Sequence, residues 1–100
     1  MIKHIVMWRL HEHAEGNDKM NNAKLVKEKL EALRGRIPGM LKLEVGIDFS
    51  GTDTSADVVL YSEFESREAL DSYQTHPEHE AVKPFMAAVR SERRVVDYEV

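Results

Sequence analysis

The 100-residue chain contains no cysteine. That absence excludes a disulfide framework, a thiolate nucleophile and a thiolate-bound metal. No stretch approaches the roughly 20 apolar residues of a membrane span. The opening segment, Met1 to Trp8, has neither the length nor the small-residue cleavage site of a secretory signal. A membrane partner is therefore not expected, and a cytoplasmic location is. There is no glycine-rich phosphate loop. Basic residues are fewer than acidic ones, 14 against 18, giving a net charge of −4. Only Arg90, Arg93 and Arg94 cluster. Nucleic-acid recognition needs a broader basic face, so this short cluster reads as the solvated entry to a strand.

What the chain does contain is an ordinary globular mixture, 42% apolar and 32% charged, with no repeat, linker or low-complexity run. One domain over residues 1–100 is expected. A first strand spans Ile2 to about Leu10. Side chains alternate along a strand, placing Ile2, Val6, Trp8 and Leu10 on one face and Ile5 and Met7 on the other. Both faces are apolar, so both are expected to be covered. His11 to Asn17 reads as a polar loop. Asn17 or Asp18 can cap a helix running to about Arg36, with Met20, Ala23, Val26, Leu30, Leu33 and Ile37 as its apolar stripe. Gly35 and Pro38-Gly39 stop it.

A half-buried strand follows over about Met40 to Phe49, with Leu41, Leu43, Val45, Ile47 and Phe49 on its inner face. The turn cluster 50–55 returns the chain antiparallel into a third strand, about Ala56 to Phe64. Here Val58, Leu60 and Phe64 share one face, and Val59 and Tyr61 share the other. Ser66 caps a short helix that turns Ala69, Leu70 and Tyr73 inward. A further helical piece after Pro77 carries Val82, Phe85, Met86 and Val89, with Pro84 interrupting it. A last strand covers about Glu92 to Glu99.

The order β-α-β-β-α-β is the split βαβ, ferredoxin-like α+β pattern: a four-stranded antiparallel sheet with both helices on one face. Its central strands are the first and third, the two that read as apolar on both sides. Ile5, Met7, Val59, Tyr61 and Val95 then fall on the open side. Full burial of each is worth roughly 1.5–3 kcal/mol, and such a patch marks an interface. The simplest partner is a second copy, packed sheet to sheet in a two-fold homodimer.

Three segments carry a resemblance: Ile2-Lys3-His4-Ile5-Val6; Ala69-Leu70-Asp71-Ser72-Tyr73 with His76-Pro77-Glu78-His79; and Val95-Val96-Asp97-Tyr98. Together they make the chain resemble the stress-responsive A/B barrel (Dabb) family along essentially its whole length. The opening Lys-His and the Tyr-x-x-His-Pro-x-His motif are fairly specific in combination. The resemblance implies a dimeric α+β barrel. Most members have no assigned activity, some are stress-induced plant proteins, and a polyketide-cyclase branch performs an intramolecular aldol condensation without metal or cofactor. In that branch the motif's tyrosine and second histidine act as an acid/base pair. By position these are Tyr73 and His79, and the pocket's N-terminal histidine is His4. A further pocket histidine of that branch falls on the third strand, where this chain has Val58.

The residues themselves allow the same chemistry. His4 shares the more apolar strand face with Val6 and Trp8, Tyr73 lies on the core side of its helix, and His79 begins the next one. A histidine can take a proton from carbon or a phenol, and a tyrosine hydroxyl can hold the resulting oxyanion. The bland readings are equally definite. Tyr73 fills the core, His4 is a hydrogen-bonded core histidine, Trp8 is a core residue, and His76 caps the helix that starts at Pro77. His76 and His79 beside Glu80 lack a third ligand and do not share a helix face, so no metal is expected. His11 and His13 read as solvated. The expectation is a small-molecule-binding homodimer without a cofactor, with His79, Tyr73 and His4 as candidate catalytic residues on a carbonyl or polyketide-like substrate. The rivals are a non-catalytic stress-responsive ligand-binding or structural dimer, and a cofactor-free monooxygenase.

Overall fold

A computed structural model describes residues 1–100. Strand β1, Ile2–Leu10, is followed by a two-residue hairpin of β2, His13–Ala14, and β3, Asn17–Asp18. Helix α1, Lys19–Glu31, leads to β4, Met40–Ile47, and β5, Val58–Phe64. Three short helices come next: α2, Arg67–Gln74; α3, Pro77–Glu80; and α4, Lys83–Val89. Strand β6, Arg90–Glu99, closes the chain. The main sheet has the order β4-β5-β1-β6 with every neighbouring pair antiparallel. The ferredoxin-like arrangement is borne out, with β1 and β5 at the centre. No helix is long and apolar enough to cross a membrane.

Local chemistry sets the boundaries. Asp18 caps α1 by accepting from the Asn21 amide at 2.8 Å, and Ser66 caps α2 by accepting from the Ala69 amide at 3.1 Å. Helix α1 ends at Glu31 rather than near Arg36. Its continuation tightens into amide-to-carbonyl bonds three residues back, from Leu33, Arg34 and Arg36. This still carries Leu33 and Ile37 into the core. Pro84 lies in the first turn of α4, where its missing N–H costs nothing. The helical run therefore breaks before Pro84, not at it.

The core lies between the helices and one sheet face, and Phe64, Val26, Val89 and Val6 are nearly inaccessible. Several assignments of side chain to face change. Met20 is half-exposed, and Asn22 turns inward instead, its Nδ2 donating to the Ala14 carbonyl at 3.0 Å. That bond ties the β2–β3 hairpin, read from sequence as a plain loop, onto α1. Leu41 is displaced outward because the β4–β5 register slips between Met40 and Lys42. Phe49 lies beyond the end of β4 and is 98% exposed.

Val95 is also reassigned. It pairs with Val6, and Asp97 pairs with His4. Residues directly opposite in an antiparallel pair share a face, so Val95 and Asp97 are on the helix side. The open face instead carries Val96 and Tyr98, opposite Ile5 and Lys3, together with Met7, Val59 and Tyr61. Met7, Val96 and Tyr98 are 42–48% exposed. Lys3 and Lys42 lie 5.7 and 5.5 Å from the Tyr61 ring centroid.

Candidate active site

His4 projects from the middle of β1 onto the helix side of the sheet and is 2% exposed. Its Nδ1 is hydrogen-bonded to Oδ1 of Asp97 on the neighbouring strand. An ionised carboxylate only accepts, so the proton sits on Nδ1, and in the neutral ring Nε2 keeps its lone pair. The Ser62 hydroxyl donates to the His4 carbonyl at 2.9 Å, holding β1 and β5 together under the ring.

Tyr73 is delivered by α2, one turn beyond Ala69 and Leu70, and is 1% exposed. Its ring is edge-on to His4 at 6.1 Å between centroids and lies 5.2 Å from Phe64. The hydroxyl is buried and has no hydrogen-bond partner. Burial pushes the phenol up to about 12, with nearby Arg93 pulling the other way. It therefore remains a neutral O–H donor throughout the physiological range.

His79 enters from α3 and packs against the Tyr73 ring, 4.1 Å between centroids and tilted by 31°. The break that sets it there is capped by His76, whose Nδ1 accepts from the Glu78 amide at 3.1 Å. His76 is thus a capping residue, occupied by backbone. His79 Nδ1 faces the Gln74 carbonyl at 3.4 Å, which places the proton on Nδ1 and leaves Nε2 as the acceptor. Burial lowers its pKa from 6.5; Lys83 and His4 add to that, while the Gln74 carbonyl and Glu80 oppose it. The ring is consequently a neutral base near pH 7.

The three side chains line one cavity of about 340 Å³, with Val6, Trp8, Leu30 and Leu60 among its apolar walls. Trp8 is thus both a core residue and a wall of the site. Inspection of the motif alone missed Asp97. Its signal is positional, since it needs only the β1–β6 register to fall opposite His4. The sequence reading also left Arg90 and Arg93 in solvent, yet both line the cavity.

The stress responsive A/B barrel domain (Dabb) model matches residues 2–100. The chain belongs to the Dabb family. A dimeric protein of unknown function with a ferredoxin-like fold from Bacteroides fragilis shares 34% identity, covering 99% of this chain and 95% of its own, with a TM-score of 0.86. A Dabb family protein from Mesorhizobium loti shares 22% identity over 99% and 95% of the two chains, with a TM-score of 0.73. A hydroxynitrile lyase from Passiflora edulis, 18% identical over 99% and 92%, has a TM-score of 0.76 and is alike in fold alone. No curated protein matches the chain. The Dabb fold accounts for the cavity's position, since its second helical segment crosses over the central strands and lowers Tyr73 and His79 onto His4.

The unpaired phenol makes a stability prediction. A buried hydroxyl without a partner costs about 1–3 kcal/mol. Tyr73→Phe keeps the ring and removes that cost, so urea unfolding is expected to give a protein more stable by about 1 kcal/mol. A variant less stable by that amount would mean that the hydroxyl has a partner in the resting protein, and its availability to a ligand would be lost.

Proposed function

We propose that this Dabb protein binds a small carbonyl compound in the cavity under α2–α4 and moves a proton at the carbon beside the carbonyl, using side chains alone. The observation that carries the reading is the convergence of His4, Tyr73 and His79 on one cavity with the Tyr73 hydroxyl unpaired. His79 Nε2 takes the proton from carbon, and the C–H electron pair moves through the new enolate onto oxygen. The Tyr73 hydroxyl donates to that oxygen, where charge develops. His4, held by Asp97, packs edge-on to the Tyr73 ring and supports it. The enolate then closes onto a second carbonyl carbon of the same substrate, whose C=O π pair becomes an alkoxide that takes the proton back from the His79 imidazolium, or the imidazolium returns that proton to the enolate to give an isomer.

The test is deuterium exchange into benzylacetone in heavy water, followed by proton NMR, with binding followed separately by thermal stabilisation. Exchange above the buffer rate is expected, and it should fall as pH drops through a value below 6.5, where His79 takes up a proton. Stabilisation without exchange across a panel of ketones would replace catalysis by ligand binding as the function. Oxygen consumption with a phenolic compound would point instead to a monooxygenase.

The working unit in this proposal is a homodimer closed through the open sheet face, forming the α+β barrel. Its support is the apolar set Ile5, Met7, Val59, Tyr61, Val96 and Tyr98, and the dimeric relative from Bacteroides fragilis. Met7 and Val96 are already half-exposed in the protomer, so charge there spares the core. Met7→Glu with Val96→Glu is expected to convert a dimer to a folded monomer in sedimentation equilibrium. A wild-type monomer, or a dimer indifferent to these substitutions, would place the interface elsewhere.

A further inference from the structure

We infer that the cavity is built for a small organic anion, a carboxylate on an apolar body, gripped at the mouth by Arg90 and Arg93. The inference rests on the cavity being a ligand site, as proposed above, and adds the charge of the ligand.

The argument begins with a slip in register. Arg9 pairs with Glu92, but Leu10 pairs with Arg90, which leaves Ser91 as an extra residue in β6. Under strict alternation, side chains three apart point to opposite faces. The extra residue cancels that, because a bulge re-aims one side chain. Arg90 shares the face of Leu10, and Arg93 shares the face of Trp8, and both residues line the cavity. Neither makes an ion pair, and neither donates a side-chain hydrogen bond.

The third cation at the cavity, Lys83, is already engaged by Glu80 Oε1 at 2.6 Å and the Gln74 carbonyl at 2.9 Å. No Asp or Glu lines the cavity. A chain of net charge −4 therefore keeps two guanidinium groups without an ion-pair partner at a cavity lined by eight hydrophobic residues and no carboxylate. A guanidinium presents a planar fork that matches a carboxylate. The apolar walls formed by Val6, Leu60 and Met86 take the rest of the molecule.

Calorimetric titration of the full chain with hydrocinnamate and with its uncharged amide tests this. The carboxylate is expected to bind about tenfold or more tightly than the amide, with the preference shrinking as salt rises. In Arg90→Gln/Arg93→Gln the preference for the carboxylate over the amide should vanish. Arg93→Gln alone, on an exposed strand position, should lose part of it and guards against misfolding of the double variant. Equal binding of acid and amide to the wild type would overturn the anion assignment and leave the ligand-site reading intact. A preference that survives in the double variant would also overturn it. Failure of both compounds to bind would remove both readings together.

Discussion

Replacing His79 with alanine is expected to slow α-carbon exchange by about 10²–10⁴-fold, the usual contribution of a positioned general base. The ring is only partly buried and lies on a four-residue helix with no fully buried side chain, so its removal should leave the fold standing. Burial keeps it neutral near pH 7, and the Gln74 carbonyl orients it. Because alanine vacates a ring-sized space against Tyr73, added imidazole should restore part of the rate. Ketone binding should change much less than exchange, since the base acts on the transition state more than on the bound ground state.

The rival base is His4, whose Nε2 is also free and whose Nδ1 is anchored by Asp97. Asp97→Asn separates the two. With His79 as base, Asp97→Asn should cost far less than His79→Ala, and the acid limb of the pH profile should stay where it was. If exchange survives in His79→Ala and collapses in Asp97→Asn, the base is His4 and the assignment to His79 is wrong.

The second large effect concerns a residue that touches no ligand. Gly39→Ala is expected to destabilise the protein by about 2–5 kcal/mol, the sum of about 1–2 for a left-handed backbone and about 1–3 for overpacking. Gly39 has φ +80°, and a Cβ there would sit 2.6 Å from the Ala69 Cβ. The backbone cannot yield cheaply, because the Gly39 carbonyl accepts the Glu65 amide at 2.9 Å just ahead of α2. Helix α2 must move instead, and Tyr73 rides on the same helix one turn on. Loss of stability in urea should therefore come with weaker ligand binding. Ala69→Gly in the Gly39→Ala background relieves the clash but not the backbone, and should recover the overpacking share alone. A Gly39→Ala protein within 1 kcal/mol of the wild type would show that the Gly39–Ala69 contact does not set the position of α2.

Much of this architecture was readable in advance because it depends on local periodicity. The limits of β1, a cap at Asn17 or Asp18, the cap at Ser66, the inward face of α2 and the joint at His76-Pro77 all follow from spacing and backbone chemistry within a few residues. The two-sided apolarity of β1 and β5 marked them as the central pair. What failed has two causes. Leu41 was misplaced because an extra residue in β4 slips its register, and Arg90 was left in solvent because Ser91 is extra in β6. Strand β6 gave no internal cue, since Val95 and Val96 are equally apolar and sit on opposite faces.

The chain's own pattern of apolar and polar residues determined the element order, the sheet topology and the greasy open face, while the three side chains worth testing came from the resemblance of their segments to the Dabb family. Only the tertiary structure decided that Asp97 holds His4, that the Tyr73 hydroxyl has no partner, and that Arg90 and Arg93 turn toward the cavity. The first set depends on neighbours within a turn or a strand, which the order of residues specifies directly. The second depends on register between β1 and β6, segments some ninety residues apart, and register is settled by the packing of the whole sheet.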